Sequence, residues 1–416
     1  MRIHRYFKIT QSIMKKTTLL ISLLAILCVF FAEDCRACTS AIISGRLTPD
    51  GRPLLWKHRD TGELNNRVDY IARNKNVKYA FIAVVNAAPD EQEAWMGTNE
   101  TGFSIINTAS SNMHKYKEDS NDQEGVVMYK ALACCRTLAD FEAFLEKNKP
   151  LGVETNFGVI DAEGGAAYYE TNSYDWTKQD INDPTVAPLG YKVYTNFSPT
   201  GKVDGGGGYI RYATADNTFR TRVLSGGQVT PQWIFDNLSR NYSHPILGVD
   251  LRKDLSAAPN GWIYDMDFIP RKSTASSAVI KGVKKGENPL LTTMWVVLGY
   301  PPVSVAVPTT VAAGKEQPAV VSRISDKEET CPISNVAMAR RAKVFPIKRG
   351  SGPSYVHFSE VCNAEGTGYL QRLAPIEKAI FEAFDALQAK WYAAGKPDAA
   401  ALKALYRTLD FGLDVQ

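Results

Sequence analysis

Histidine is scarce. The chain has five in 416 residues, and no CxxC or paired Cys/His spacing accompanies them, so no metal site is expected. A G-x-G-x-x-G or P-loop is also missing. The run Gly205–Gly208 has no Lys-Ser/Thr after it and reads as a mobile loop, not a phosphate cradle. A basic stripe is lacking too. The formal net charge is +4, but residues 1–37 hold six Lys/Arg and two acids, which leaves 42 residues of each sign in the remainder. A neutral body without a basic stripe argues against a nucleic-acid partner, whose phosphates demand clustered Lys/Arg. The one long apolar run, Leu19–Ala32 broken by Ser22, is about 14 residues, short of the ~20 that cross ~30 Å of hydrocarbon. What remains is globular composition, 44% hydrophobic and 22% charged, in a chain long enough for one large domain or two.

Lys15 and Lys16 precede that apolar run and small residues follow it, the pattern of a secretory signal over 1–37, with Met14 as an alternative start. The mature chain is then expected outside the cytoplasm, periplasmic or extracellular, with no membrane span after processing. Cys28 and Cys35 leave with the leader; Cys38, Cys134, Cys135, Cys331 and Cys362 stay. An odd count in an exported chain points to some pairing and one free thiol. The expected pair is Cys331 with Cys362; both free, or either joined to Cys134 or Cys135, stays open.

Along the chain, Thr39–Ile43 and Pro53–Trp56 read as strands joined through the turn Thr48-Pro49-Asp50-Gly51. Further strands are expected at 79–86, 94–96, 103–108, 156–161, 166–170, 191–196, 276–281 and 293–298. Helices are expected at Gly125–Lys147, Thr230–Asn241 and from Leu370 on, with Asp398 capping the last. This order is α+β, not the alternation of a doubly wound sheet. Residues 38–310 form the main domain, and 311–416 an irregular linker plus a helical C-terminal extension.

Chemistry concentrates at Ala37-Cys38. If the leader ends there, Cys38 becomes a free N-terminal cysteine, nucleophile and base on one residue: its α-amine, with a pKa of about 7.7–8.0, can take the thiol proton. A turn flanked by Thr48 and Arg52 sets Cys38 beside or diagonal to Asp60 and His58. Strict alternation then puts Lys57 and Arg59 on the face away from Asp60, and only a bulge or a strand end brings either to Cys38.

Cys38-Thr39-Ser40-Ala41-Ile42-Ile43, then Asp50-Gly51-x-x-Leu54-Leu55-x-Lys57-x-x-Asp60, resembles the N-terminal-nucleophile (Ntn) hydrolases that cleave linear amides: choloylglycine hydrolases, penicillin V acylases and the isopenicillin N acyltransferase group. Gly97-Thr98-Asn99-Glu100-Thr101-Gly102-Phe103, Leu132–Leu138, Thr195-Asn196-Phe197 and Arg211-Tyr212 extend the resemblance over about residues 38–310. It implies a four-layer α-β-β-α sandwich, no cofactor, and a small amide substrate; a homo-oligomer stays open. Its catalytic set here is Cys38, Asp60 orienting the amine, Lys57 where the family has Arg, with Arg59 as substitute, Asn107 in the oxyanion hole with Asn112 as fallback, Asn196 beside the nucleophile, and Arg211. A thioester on Cys38 would be resolved by water or an acceptor amine. Two alternatives stand: an Ntn dipeptidase, on the strand Met294–Pro301, and an exported non-catalytic binding protein on the same scaffold. A papain-like Cys/His protease lacks its flanking motif.

Overall fold

The computed structural model describes residues 37–88 and 92–412. The expected signal segment, with Cys28 and Cys35, lies outside the described residues apart from Ala37. The first ten strands are β1 Thr39–Ile43, β2 Leu54–Asp60, β3 Asn66–Ile71, β4 Phe81–Asn86, β5 Met96–Asn99, β6 Ser104–Ala109, β7 Thr155–Ile160, β8 Ala166–Thr171, β9 Trp176–Asp180 and β10 Tyr191–Tyr194. A six-stranded sheet runs β10, β1, β2, Thr274–Lys281, Thr293–Leu298, Val307–Thr309. A seven-stranded sheet is a meander from β3 to β9. The pairings within both sheets are antiparallel.

Period-two alternation makes the layers. In the seven-stranded sheet, Ile82, Val84, Met96, Ile106, Ile160 and Tyr168 share a core with the six-stranded sheet. Their neighbours Phe81, Ala83, Ile105, Phe157 and Tyr169 pack on Met128 and Leu132 of helix Glu124–Cys134 and on Phe141 and Leu145 of helix Leu138–Lys147. The outer face of the six-stranded sheet is covered in turn. Trp56 meets Phe219 of helix Tyr209–Leu224 (centroids 6.4 Å apart), and Trp295 stacks on Phe381 of helix Tyr369–Ala394 at 4.0 Å. The result is the expected helix–sheet–sheet–helix sandwich. The C-terminal helices share its core, and a buried ion pair fastens them: Arg240 donates to both carboxylate oxygens of Glu377 at 2.7 and 2.6 Å.

Several expectations need correction. The single helix over 125–147 is two, because Thr137 caps the second through a hydrogen bond from Asp140 N at 3.2 Å and turns the chain at Cys135–Thr137. The helix over 230–241 is only Pro231–Ile234, followed by a π turn at Phe235–Ser239. The 16-residue helix Tyr209–Leu224 has no counterpart in the sequence reading; it buries only Arg211, Thr214, Ala215 and Phe219 and so shows little apolar period. Gly205–Gly208 runs beside the end of the neighbouring strand and leads into helix Tyr209–Leu224. Gly207 N donates to Asn196 O at 2.9 Å, and Gly208 has φ 76° at the helix cap, where a Cβ would strike the Arg211 guanidinium. Cys331 and Cys362 are not joined. The buried Cys331 thiol donates to Asn66 O at 3.3 Å, while Cys362, half-buried, ends the short helix Phe358–Val361.

Candidate active site

The β1–β2 pairing sets Thr39 opposite His58 and Ser40 opposite Lys57. Residues opposite one another point the same way, so Cys38 shares its face with Lys57 and Arg59, and Asp60 lies on the face of His58. The expected arrangement is therefore reversed: the two cations need no bulge to reach Cys38, and Asp60 is the residue that does. The cause is the connection. A 3-10 turn at Gly45–Leu47 precedes Thr48-Pro49-Asp50-Gly51, and Gly45 packs so closely on the Gly51 carbonyl that no Cβ fits. Ile43 then pairs with Leu54, and the shifted register exchanges the faces. Asp60 is recovered because it ends β2 where the adjoining strand slips register between Thr274 and Ser276.

Cys38, Lys57, Arg59, Asp60, Trp95 and Asn107 line one cavity of about 510 Å³ between the ends of the two sheets. Lys57 is fully buried and donates to Asn107 Oδ1 at 2.6 Å and to Trp95 O at 2.9 Å. Asn107 Nδ2 gives one proton to Thr155 Oγ1 at 3.1 Å, and a primary amide carries a second. Arg59 reaches across to the other sheet, donating to Asn66 Oδ1 at 3.0 Å and Asn86 Oδ1 at 2.9 Å, and stacks over the Trp95 ring at 4.3 Å. Asp60 accepts from Arg271 Nε at 2.7 Å and from Thr274 Oγ1 at 2.6 Å.

A second tier lies behind Cys38. Arg211 donates to Cys38 O at 2.7 Å, Thr39 Oγ1 at 3.1 Å, Asn196 Oδ1 at 2.8 Å and Asp267 Oδ1 at 2.8 Å. Asn196 Nδ2 donates to Ala109 O at 2.8 Å, joining the end of β6 to this group. Asp267 (φ 61°) also accepts from Arg271 Nη1 at 2.6 Å, so one carboxylate links the two arginines.

Burial governs the titrations. It pushes the Lys57 ammonium down to about 8; Arg59 adds to that, while Cys38 and Glu124 pull the other way. Burial likewise pushes His58 down to about 4, Asp60 opposing and Arg211 and Arg271 reinforcing. His58 is neutral at physiological pH, and it sits on the face away from the Cys38 side chain.

Of the residues expected from sequence, Cys38, Lys57, Arg59, Asp60 and Asn107 line the cavity; Asn196 and Arg211 stand behind it. Asn112 is a loop brace, donating to Ser198 O at 2.9 Å and Lys202 O at 3.0 Å. Arg271, Thr274, Asp267 and Trp95 were not anticipated. Arg271 and Thr274 reach Asp60 only through the pairing of β2 with a strand some 200 residues away, which no local pattern announces.

No family model matches the chain, and no curated protein matches it. Among solved structures it is similar to a Caenorhabditis elegans ortholog of N-acylethanolamine-hydrolyzing acid amidase, with 13% identity and TM-score 0.39 over 58% of this chain and 92% of that one. It is also similar to a variant of conjugated bile acid hydrolase from Clostridium perfringens, with 12% identity and TM-score 0.40 over 66% and 92%. Penicillin V acylase from Agrobacterium tumefaciens is a third, with 12% identity and TM-score 0.37 over 66% and 86%. At these TM-scores the likeness adds no weight to any residue's role.

Proposed function

We propose that this protein is an exported amide hydrolase that works through a thioester on Cys38. The observation that carries the reading is the convergence on one cavity of a cysteine at the start of β1, a buried lysine, a carboxylate and a buried primary amide. Removal of residues 1–37 frees the Cys38 α-amine. That amine, titrating at about 7.7–8.0, takes the thiol proton as Sγ bonds to the amide carbon. Asp60 orients the amine. The remaining Asn107 Nδ2 proton and backbone N–H groups meet the oxyanion, a contribution of roughly 3–4 kcal/mol per donor in comparable sites. The C–N bond then breaks, and the ammonium on Cys38 returns its proton to the departing amine. Water, or an acceptor amine, attacks the thioester and releases the acyl group. Lys57 holds Asn107 and keeps positive charge beside the thiolate. Arg211 and Asn196 are positioning residues: Arg211 fixes the Cys38 carbonyl, and Asn196 holds Arg211.

The test is amine release from N-acyl amino acids, conjugated bile acids, phenoxyacetyl amides and dipeptides. Activity on one class that Cys38→Ala abolishes supports the reading. Wild-type turnover by Cys38→Ala on every accepted substrate overturns it, and no turnover on any class favours a non-catalytic binding protein.

A further inference from the structure

The proposed mechanism needs two groups in register, the Cys38 backbone at the start of β1 and the Asp60 carboxylate at the end of β2. Each is held by an arginine from another part of the chain. Arg211 donates to Cys38 O at 2.7 Å, and Arg271 Nε donates to Asp60 Oδ2 at 2.7 Å. Both arginines then meet one atom. Asp267 Oδ1 accepts from Arg211 Nε at 2.8 Å and from Arg271 Nη1 at 2.6 Å. The two arginine side chains are only 2% and 11% exposed. Like charges brought this close, with little water to screen them, repel unless an anion stands between them. Asp267 is that anion, and it is not among the residues that line the Cys38 cavity.

The backbone bends to deliver this carboxylate. Asp267 has φ 61°, in the left-handed region, and lies between exposed Met266 and buried Phe268. Phe268 and Ile269 anchor the loop in the core. A turn of this kind is served as well by glycine, so the turn alone gives no reason for a carboxylate here. We propose that Asp267 is a positioning residue for amide cleavage: by tying Arg211 to Arg271, it sets the Cys38 amine against Asp60. Without it the two guanidinium groups separate, and each carries its partner with it. The proposal rests on Cys38 being the nucleophile, and it adds a residue that acts only through others.

Asp267→Gly and Asp267→Asn separate the side chain from the turn. Glycine takes the same φ at ease but leaves the arginines no shared acceptor. Asparagine tolerates that φ and keeps the oxygen, losing only the charge. In Asp267→Gly, kcat is expected to fall about tenfold or more while KM stays within about twofold, with Asp267→Asn between it and wild type. A residue needed only for the turn gives the reverse order. Wild-type kcat in Asp267→Gly, or a kcat at or above that of Asp267→Asn, overturns the proposal and leaves the nucleophile in place. A second readout needs no turnover. The processed protein is treated with methyl methanethiosulfonate, which transfers its methylthio group to a thiolate with loss of methanesulfinate. Peptide mass spectrometry reads Cys38 separately from exposed Cys134. The Cys38 rate should fall in Asp267→Gly while the Cys134 rate holds. Rates that hold at both cysteines, or fall alike at both, contradict the positioning role. Failure of Cys38 to react in the wild type overturns the nucleophile reading and the proposal with it.

Discussion

On the proposed mechanism, Cys38→Ser separates the attacking atom from its surroundings. The hydroxyl fits where the thiol sat, yet it offers far less anion at neutral pH, so turnover should fall nearly as far as in Cys38→Ala while the thermal midpoint stays put. His58 makes the complementary case, a residue beside the site whose effect is on stability. Its pKa in the fold is about 4 against 6.5 when free. Between those values the unfolded chain binds a proton that the folded chain refuses, so His58 stabilises the fold fully above pH 6.5 and loses that contribution as pH falls to 4. The size is on the order of a few kcal/mol. Denaturant midpoints of wild type and His58→Asn, compared at several pH values, should show the wild type losing more stability over that window; parallel profiles contradict the assignment. The sequence made Cys38 and Asp60 legible because each stands in a motif. The faces of Lys57 and Arg59 were misread because a single 3-10 turn lies between a strand pattern and its register.

Elements were legible where one face is apolar and the other is not. Residues 39–43, 81–86, 104–109, 155–160 and 293–298 are strands close to their expected bounds, and Asp398 caps the last helix, accepting from Ala400 N and Ala401 N at 3.0 Å each. Helix Tyr209–Leu224 escaped notice because its buried face is built around Arg211 and Thr214 as much as Phe219. β3 and β9 escaped because charged and polar residues interrupt the first and make up most of the second. Gly208 ties one of these elements to the chemistry. Gly208→Ala puts a side chain at φ 76° against Arg211, so the arginine must withdraw from the Cys38 carbonyl. A stability loss of about 1 kcal/mol or more is expected, and a larger proportional loss in kcat than in folded fraction. Unchanged kcat in the folded variant contradicts the positioning role of Arg211.

At the scale of the whole molecule, the C-terminal helices are part of the sandwich. Arg240 and Glu377 are both nearly inaccessible, and Glu377 Oε2 also accepts from Ala306 N at 2.6 Å. Glu377→Gln leaves the buried Arg240 charge with only Asp236 Oδ1, 3.3 Å away, as counterion, and unfolding free energy should drop by about 3 kcal/mol. A drop under ~1 kcal/mol contradicts the clamp. The central claim concerns the opposite end of the chain, where Ala37 and Cys38 are both buried at the entry to β1. Intact mass and N-terminal sequencing of the protein in its active form test it most directly. The account predicts a chain that begins at Cys38, with its amine free to act as base. A fully active protein that still carries Ala37 contradicts it.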